Sequence, residues 1–142
     1  CVGTLIGTAP LGQEVAFTAY SAASKDTRFQ PLQETELREI QIDISVLSQP
    51  VPLPANDLDE LLEQVRPNQH GLIVEDLGQR ATLLPKVWEK VADAEQFIMH
   101  LMLKAGLPPR HWSDTIRFSC YEAFEFKSHA PIRSPAMPDS DR

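Results

Sequence analysis

The sequence predicts an α+β fold, a domain around a mainly antiparallel sheet flanked by helices, and three observations carry that expectation. Apolar residues recur at helical spacing in two separate stretches, 11–23 and 94–105. They alternate with period two from Ile40 to Val46. Short apolar runs then face each other across a tight turn near Asp76–Gly78, with no regular strand–helix–strand repeat.

Each element follows from its residues. In "LGQEVAFTAYSAASKD", Leu11, Val15, Ala16, Ala19, Ala22 and Ala23 form a stripe, and so many alanines predict a helix packed closely against a sheet. Pro10 stands just ahead of it, where a missing N–H costs nothing. Pro31 biases Gln30 away from helical angles and ends the pattern, while "TELREI" is read as a short helical turn. "EIQIDISVL" is the clearest strand, with Ile40, Ile42, Ile44 and Val46 on one face and Gln41, Asp43 and Ser45 on the other. "SQPVPLPAN" holds three prolines and is excluded from any central strand position; it reads as an extended crossing, an edge or a hinge between two lobes.

Asn56 or Asp57 is the expected cap of a short acidic helix. Leu72–Glu75 and Arg80–Leu84 make the arms of a hairpin. Pro85 opens a helical stretch through Lys90. Asp93 caps a longer helix in which Phe97, Leu101 and Met102 or Ala105 line a stripe, Lys104 sits at the negative end and Gly106 stops the helix. "TIRFSCYEAFEF" is expected as a closing strand whose apolar phase changes near Cys120–Tyr121, at a bulge. Residues 1–127 are thus assigned to one domain, and the Pro- and Ser-rich residues 128–142 to a disordered tail.

Composition excludes several classes of function. The 142 residues are 42% hydrophobic and 23% charged, ordinary for one globular domain. No apolar run approaches the length of a bilayer span, and no basic region followed by an apolar one marks a secretory signal. Two cysteines make a disulfide scaffold a poor reading and place the chain in a reducing compartment, the cytoplasm. The net charge is −7, concentrated in the first half with 10 acids against 4 bases up to Gly71. Such a surface repels phosphates, so nucleic acid and anionic lipid are not expected partners.

Chemistry-bearing motifs are sparse. Gly3, Gly7 and Gly12 are spaced too widely for a phosphate-binding loop, and the four histidines and two cysteines show no paired metal-ligand spacing. No metal or cofactor is therefore expected. Cys1 with His70 or His111 is a conceivable nucleophile–base pair that sequence distance neither supports nor excludes. His70 heads a strand, where a loop residue could face a cleft, although a turn histidine bonded to backbone is the simpler reading. In "KDTRF", Arg28 could fork onto a carboxylate or phosphate; alternatively Asp26 and Arg28 bond each other and the loop while Phe29 plugs the core. Cys120 is read as a small buried hydrophobe.

Taken together, "CVG", "KDTRFQPL", "LREIQIDISVLSQPVPL", "HGLIVED", "ATLLPKVWE", "LMLKAGLPP" and "WSDTIRFSCY" resemble, in order, the blocks of the AMMECR-domain family, specifically its bacterial AmmeMemoRadiSam system protein A type. The resemblance runs over residues 1–126. In that family the signature cysteine is internal, so Cys1 is expected to be an entry into an N-terminally truncated sequence. The resemblance implies a two-lobed α+β fold with signature residues near an inter-lobe cleft. It also implies association with a Memo-like protein and a radical-SAM protein, and no established reaction. Cys1 and Gly3 match the signature, and Asp26, Arg28 and Phe29 match the second block. With His70, these are the candidate cleft residues. The expected function is an accessory or interaction module; the alternative is a small enzyme or covalent carrier using Cys1 as a thiolate nucleophile.

Overall fold

The computed structural model describes residues 2–128. Its elements, in order, are α1 (Leu11–Ser24), a 3-10 turn (Glu34–Arg38), β1 (Asp43–Leu47), β2 (Val51–Pro52), α2 (Leu58–Gln64), β3 (Gly71–Asp76), β4 (Gln79–Leu83), a second 3-10 turn (Pro85–Lys90), α3 (Ala94–Lys104), β5 (Arg117–Tyr121) and β6 (Ala123–Lys127). The chain divides into two compact units. One holds the residues up to Ser45 and from Glu125 onward; the other is Val46–Phe124. The fold is α+β with antiparallel pairing in the larger sheet, as the sequence predicts.

In the first unit, the Pro10 carbonyl accepts from the N–H groups of Gln13 and Glu14 at 2.9 and 3.1 Å, while the Glu14 carboxylate reaches back to the N–H groups of Thr8 and Ala9. That local chemistry starts α1 where expected. Its packing is different from the expectation: none of its residues is buried, and Leu11 of the alanine-rich stripe is 60% exposed. Alanines contribute little area to bury, and the two large rings of the helix, Phe17 and Tyr20, lie off the stripe and outside, each within 6 Å of the Lys25 ammonium. The 3-10 turn is closed by a reciprocal cap between Gln33 and Glu36.

β1 and β6 form a two-stranded sheet. β1 begins at Asp43, three residues later than the alternation alone suggests, and the Ser45 hydroxyl donates to the Glu125 carboxylate at 2.8 Å. Ser128 extends the pair: its N–H donates to the Ile42 carbonyl, and its Oγ accepts from the Ile42 N–H. Of the tail expected from 128 onward, residues 129–142 lie outside the described residues.

The expected single closing strand is in fact two. β5 pairs in the four-stranded sheet, β6 pairs with β1, and Glu122 separates them. The phase change was legible; its cause is a change of partner sheet instead of a bulge. Ser48 and Glu122 mark the handover, with Ser48 N–H donating to the Glu122 carbonyl and Glu122 N–H to Ser48 Oγ.

The second unit holds the core. Its sheet has the order β2-β5-β3-β4, so the proline-rich β2 is an edge strand, where missing donors cost least. β3 and β4 make a hairpin with Asp76 opposite Gln79, and its two-residue turn places Leu77 at φ 51° and Gly78 at φ 76°. Both central residues in that conformation define the turn that suits the strand twist. Asp57 caps α2 through Glu60 N–H, and Asp93 caps α3 through Gln96 N–H. α3 ends at Gly106 (φ 77°), where Gly106 N–H bonds Leu103 O and Leu107 N–H bonds Met102 O, the paired closure of a Schellman motif. Phe97, Ile98, Leu101 and Met102 on α3 pack with Leu72, Val74 and Phe118 of the sheet, and Trp88 stacks on Phe97 with ring centroids 4.0 Å apart. At Gly71 the backbone runs directly under the Tyr121 ring, and a Cβ there would collide with it. No described helix is long and apolar enough to cross a membrane.

Candidate functional site

The second sequence block is assembled in the first unit. After α1, Asp26 Oδ1 accepts from Arg28 N–H at 3.1 Å and from Arg28 Nε at 2.8 Å, while Asp26 Oδ2 accepts from Arg28 Nη2 at 2.6 Å. The guanidinium fork is therefore engaged with a carboxylate two residues away. Those hydrogen bonds hold the Asp26 carboxyl down at about 2. Phe29 does not plug the core. It is 69% exposed, and its ring lies 5.6 Å from the Arg28 guanidinium carbon. The turn made by Phe29 N–H onto the Asp26 carbonyl directs the ring outward. Gly3 is exposed, and a Cβ there would meet nothing within 4 Å. Cys1 lies outside the described residues.

His70 belongs to the other unit. Its Nδ1 accepts from Arg66 N–H at 3.2 Å, and its carbonyl accepts from the buried Trp88 indole at 2.7 Å. Burial, helped by the nearby Arg66 charge, lowers its pKa below the ordinary histidine value. Asp26, Arg28 and Phe29 are thus brought together, and His70 is held by its own helix-to-strand turn. Cys120 is a free, buried thiol whose pKa burial pushes up, so it is a poor nucleophile.

The most connected polar cluster is one that sequence reasoning did not single out. Asp76, at the end of β3, is 4% exposed. Its Oδ2 pairs with His111 Nε2 at 2.6 Å and accepts from Ser113 Oγ at 2.8 Å, and its Oδ1 accepts from Thr115 Oγ1 at 2.6 Å. Ser113 Oγ also accepts from the N–H groups of Thr115 and Ile116. The hydrogen bonds from Thr115 and His111 lead in holding the Asp76 carboxyl at about 2. The signal was present as "HWSDT", a run of short polar side chains before a strand, and as an acid at a hairpin end, but nothing local connects them. The arrangement is not a nucleophile–base triad. Ser113 bonds the carboxylate and not the imidazole, so nothing withdraws its proton.

Beside this cluster lies an open apolar pocket of about 260 Å³. Its lining includes the buried Ile98, Met102 and Phe118 together with Leu58 and Trp112, and also the charged residues Asp57 and Arg110. Trp112 stacks on Phe118 with centroids 5.6 Å apart. His111 joins the two features, because it lines the pocket and bonds Asp76. Among the described residues no group of three or more His, Cys, Asp or Glu side chains is placed to hold a metal ion.

Comparison with known proteins accords with this architecture. The chain is 36% identical over 132 residues to protein Mbar_A1807 of Methanosarcina barkeri and 35% identical over 133 residues to protein MJ0810 of Methanocaldococcus jannaschii, covering 92% of this chain in each case. It spans about two thirds of their lengths, 65% and 66%. The crystal structure of an uncharacterised protein, PH0010 of Pyrococcus horikoshii, superposes with a TM-score of 0.85 at 28% identity, over 92% of this chain and 65% of that one. The AMMECR1 family model matches residues 1–126, and the chain belongs to the AMMECR1 family.

Proposed function

We propose that this chain is an accessory interaction module of the AmmeMemoRadiSam type, working in the cytoplasm with a Memo-like protein and a radical-SAM enzyme. The observation that carries the reading is the exposed aromatic surface of the first unit: Phe17, Tyr20 and Phe29 are 64%, 61% and 69% exposed. Exposed aromatic rings, with Arg28 beside Phe29, are residue types enriched at protein interfaces. The polar clusters support it from the other side. Among the described residues, Asp26 and Asp76 spend their lone pairs on internal donors, and neither activates a neighbouring nucleophile.

Calorimetric titration of this chain against a purified Memo-like protein and, separately, a radical-SAM protein tests the proposal. Binding to at least one is expected, weakened about tenfold or more in Phe17→Ser/Tyr20→Ser, as for truncated hot-spot rings. Absence of binding to both overturns it. If, in that event, Cys1 alkylates well below pH 8 while Cys120 does not, the thiolate reading takes its place.

A further inference from the structure

The pocket in the second unit and the imidazole on its wall belong to one constellation, and their chemistry specifies a ligand. An apolar cavity of about 150 Å³ is enough to take benzene, and drug-sized ligands occupy roughly 300–1,000 Å³. At about 260 Å³ this open pocket has room for one substituted ring. The Trp112–Phe118 ring pair offers aromatic surface to such a ring, and the buried side chains of Ile98 and Met102 add apolar lining.

His111 supplies the polar end. The Asp76 carboxyl, held at about 2, is ionised and can only accept; Ser113 and Thr115 already donate to it. The 2.6 Å bond from His111 must therefore carry its proton on Nε2. Nδ1, the ring's other nitrogen, has no partner among the described residues, and the side chain is 20% exposed. As imidazole it presents a lone pair, and as imidazolium an N–H. A hydroxyl satisfies both, since it can donate to the one and accept from the other.

We infer that this pocket is a binding site for a small phenol, its ring against Trp112 and its hydroxyl on His111 Nδ1, with Asp76 fixing the imidazole. The site is separate from the aromatic surface proposed for partner proteins and does not depend on that reading. Asp76 acts here as a positioning residue, because its contact with the ligand runs only through His111.

The test compares p-cresol with toluene, two ligands that differ only by the hydroxyl, by titrating each into the isotope-labelled chain and following amide chemical shifts. Saturable shifts are expected at Ile98, Met102, His111 and Trp112. A dissociation constant of about millimolar order is appropriate for so small a ligand. p-Cresol should bind about 2- to 10-fold more tightly than toluene, the worth of one hydrogen bond. His111→Phe should remove that difference while toluene still binds. Equal affinities, shifts that map elsewhere, or no saturable binding overturn the proposal. The comparison of the two ligands on the unaltered chain decides it even if the variant fails to fold.

Discussion

At the scale of single residues, one buried carboxylate and one glycine carry the sharpest expectations. Asp76 is ionised in the fold with a carboxyl pKa of about 2, below the roughly 3.9 of a free aspartate, because Thr115, His111 and Ser113 donate to it. A depressed folded pKa stabilises the fold fully above the unfolded value and loses that contribution as pH falls from about 4 to 2. The difference in thermal midpoint between the natural chain and Asp76→Asn should therefore be constant near neutrality and shrink across that acid range. A gap that persists unchanged to pH 2 would show that ionisation of Asp76 is not what the network stabilises. At Gly71, alanine would drive a methyl group into the Tyr121 ring, which is held by hydrogen bonds to Thr82 and the Leu83 carbonyl. Overpacking of this kind costs about 1–3 kcal/mol, read as a lower urea midpoint for Gly71→Ala.

At the scale of elements, the turn between β3 and β4 carries a correctable strain. Leu77 holds φ 51° with its side chain 70% exposed, so it bears the steric cost of the left-handed region with no packing in return. Leu77→Asn creates Asn-Gly, the pair this hairpin turn favours, and should raise stability by about 0.5–1 kcal/mol in chemical denaturation. A fall would mean that Leu77 makes a stabilising contact outweighing its backbone cost. Elements also show where local chemistry is decisive. Asp57 and Asp93 cap their helices, Gly106 ends α3, and the prolines in and beside β2 keep it at an edge, each as read from a few neighbouring residues. The split between β5 and β6 is different in kind. Residues 117–127 are strand-forming throughout, and Glu122 becomes a boundary only because Ser48, far away in the chain, pairs with it.

At the scale of the whole molecule, burial is uneven. Every fully buried residue among those described belongs to Val46–Phe124. Slow hydrogen exchange tracks buried, well-packed backbone. The amides of β3, β5 and α3 should exchange at rates set by global unfolding, while those of α1 exchange orders of magnitude faster. Equal protection of α1 and α3 would show that the first unit is packed as tightly as the second. The exposed rings of the first unit should also bind an apolar dye, with the signal reduced in Phe17→Ser/Tyr20→Ser.

The sequence by itself determined the class of fold, the helices with their caps and stops and the central hairpin, because helix periodicity, caps, turns and proline restrictions act over a few residues; where β1 begins and where the closing strand divides were not legible in it. It also determined that Asp26 and Arg28, two positions apart, could bond each other, as they do. Only the tertiary structure decided which faces are buried. The alanine stripe of α1 is geometrically amphipathic yet remains outside the core, since burial needs a partner surface and not a pattern alone. Only the tertiary structure, too, brought His111, Ser113 and Thr115 onto Asp76 across separations of 35 to 39 residues. Hydrogen bonds reach about 3 Å, so no regularity in the chain announces a cluster whose members meet only after the hairpin and α3 have packed.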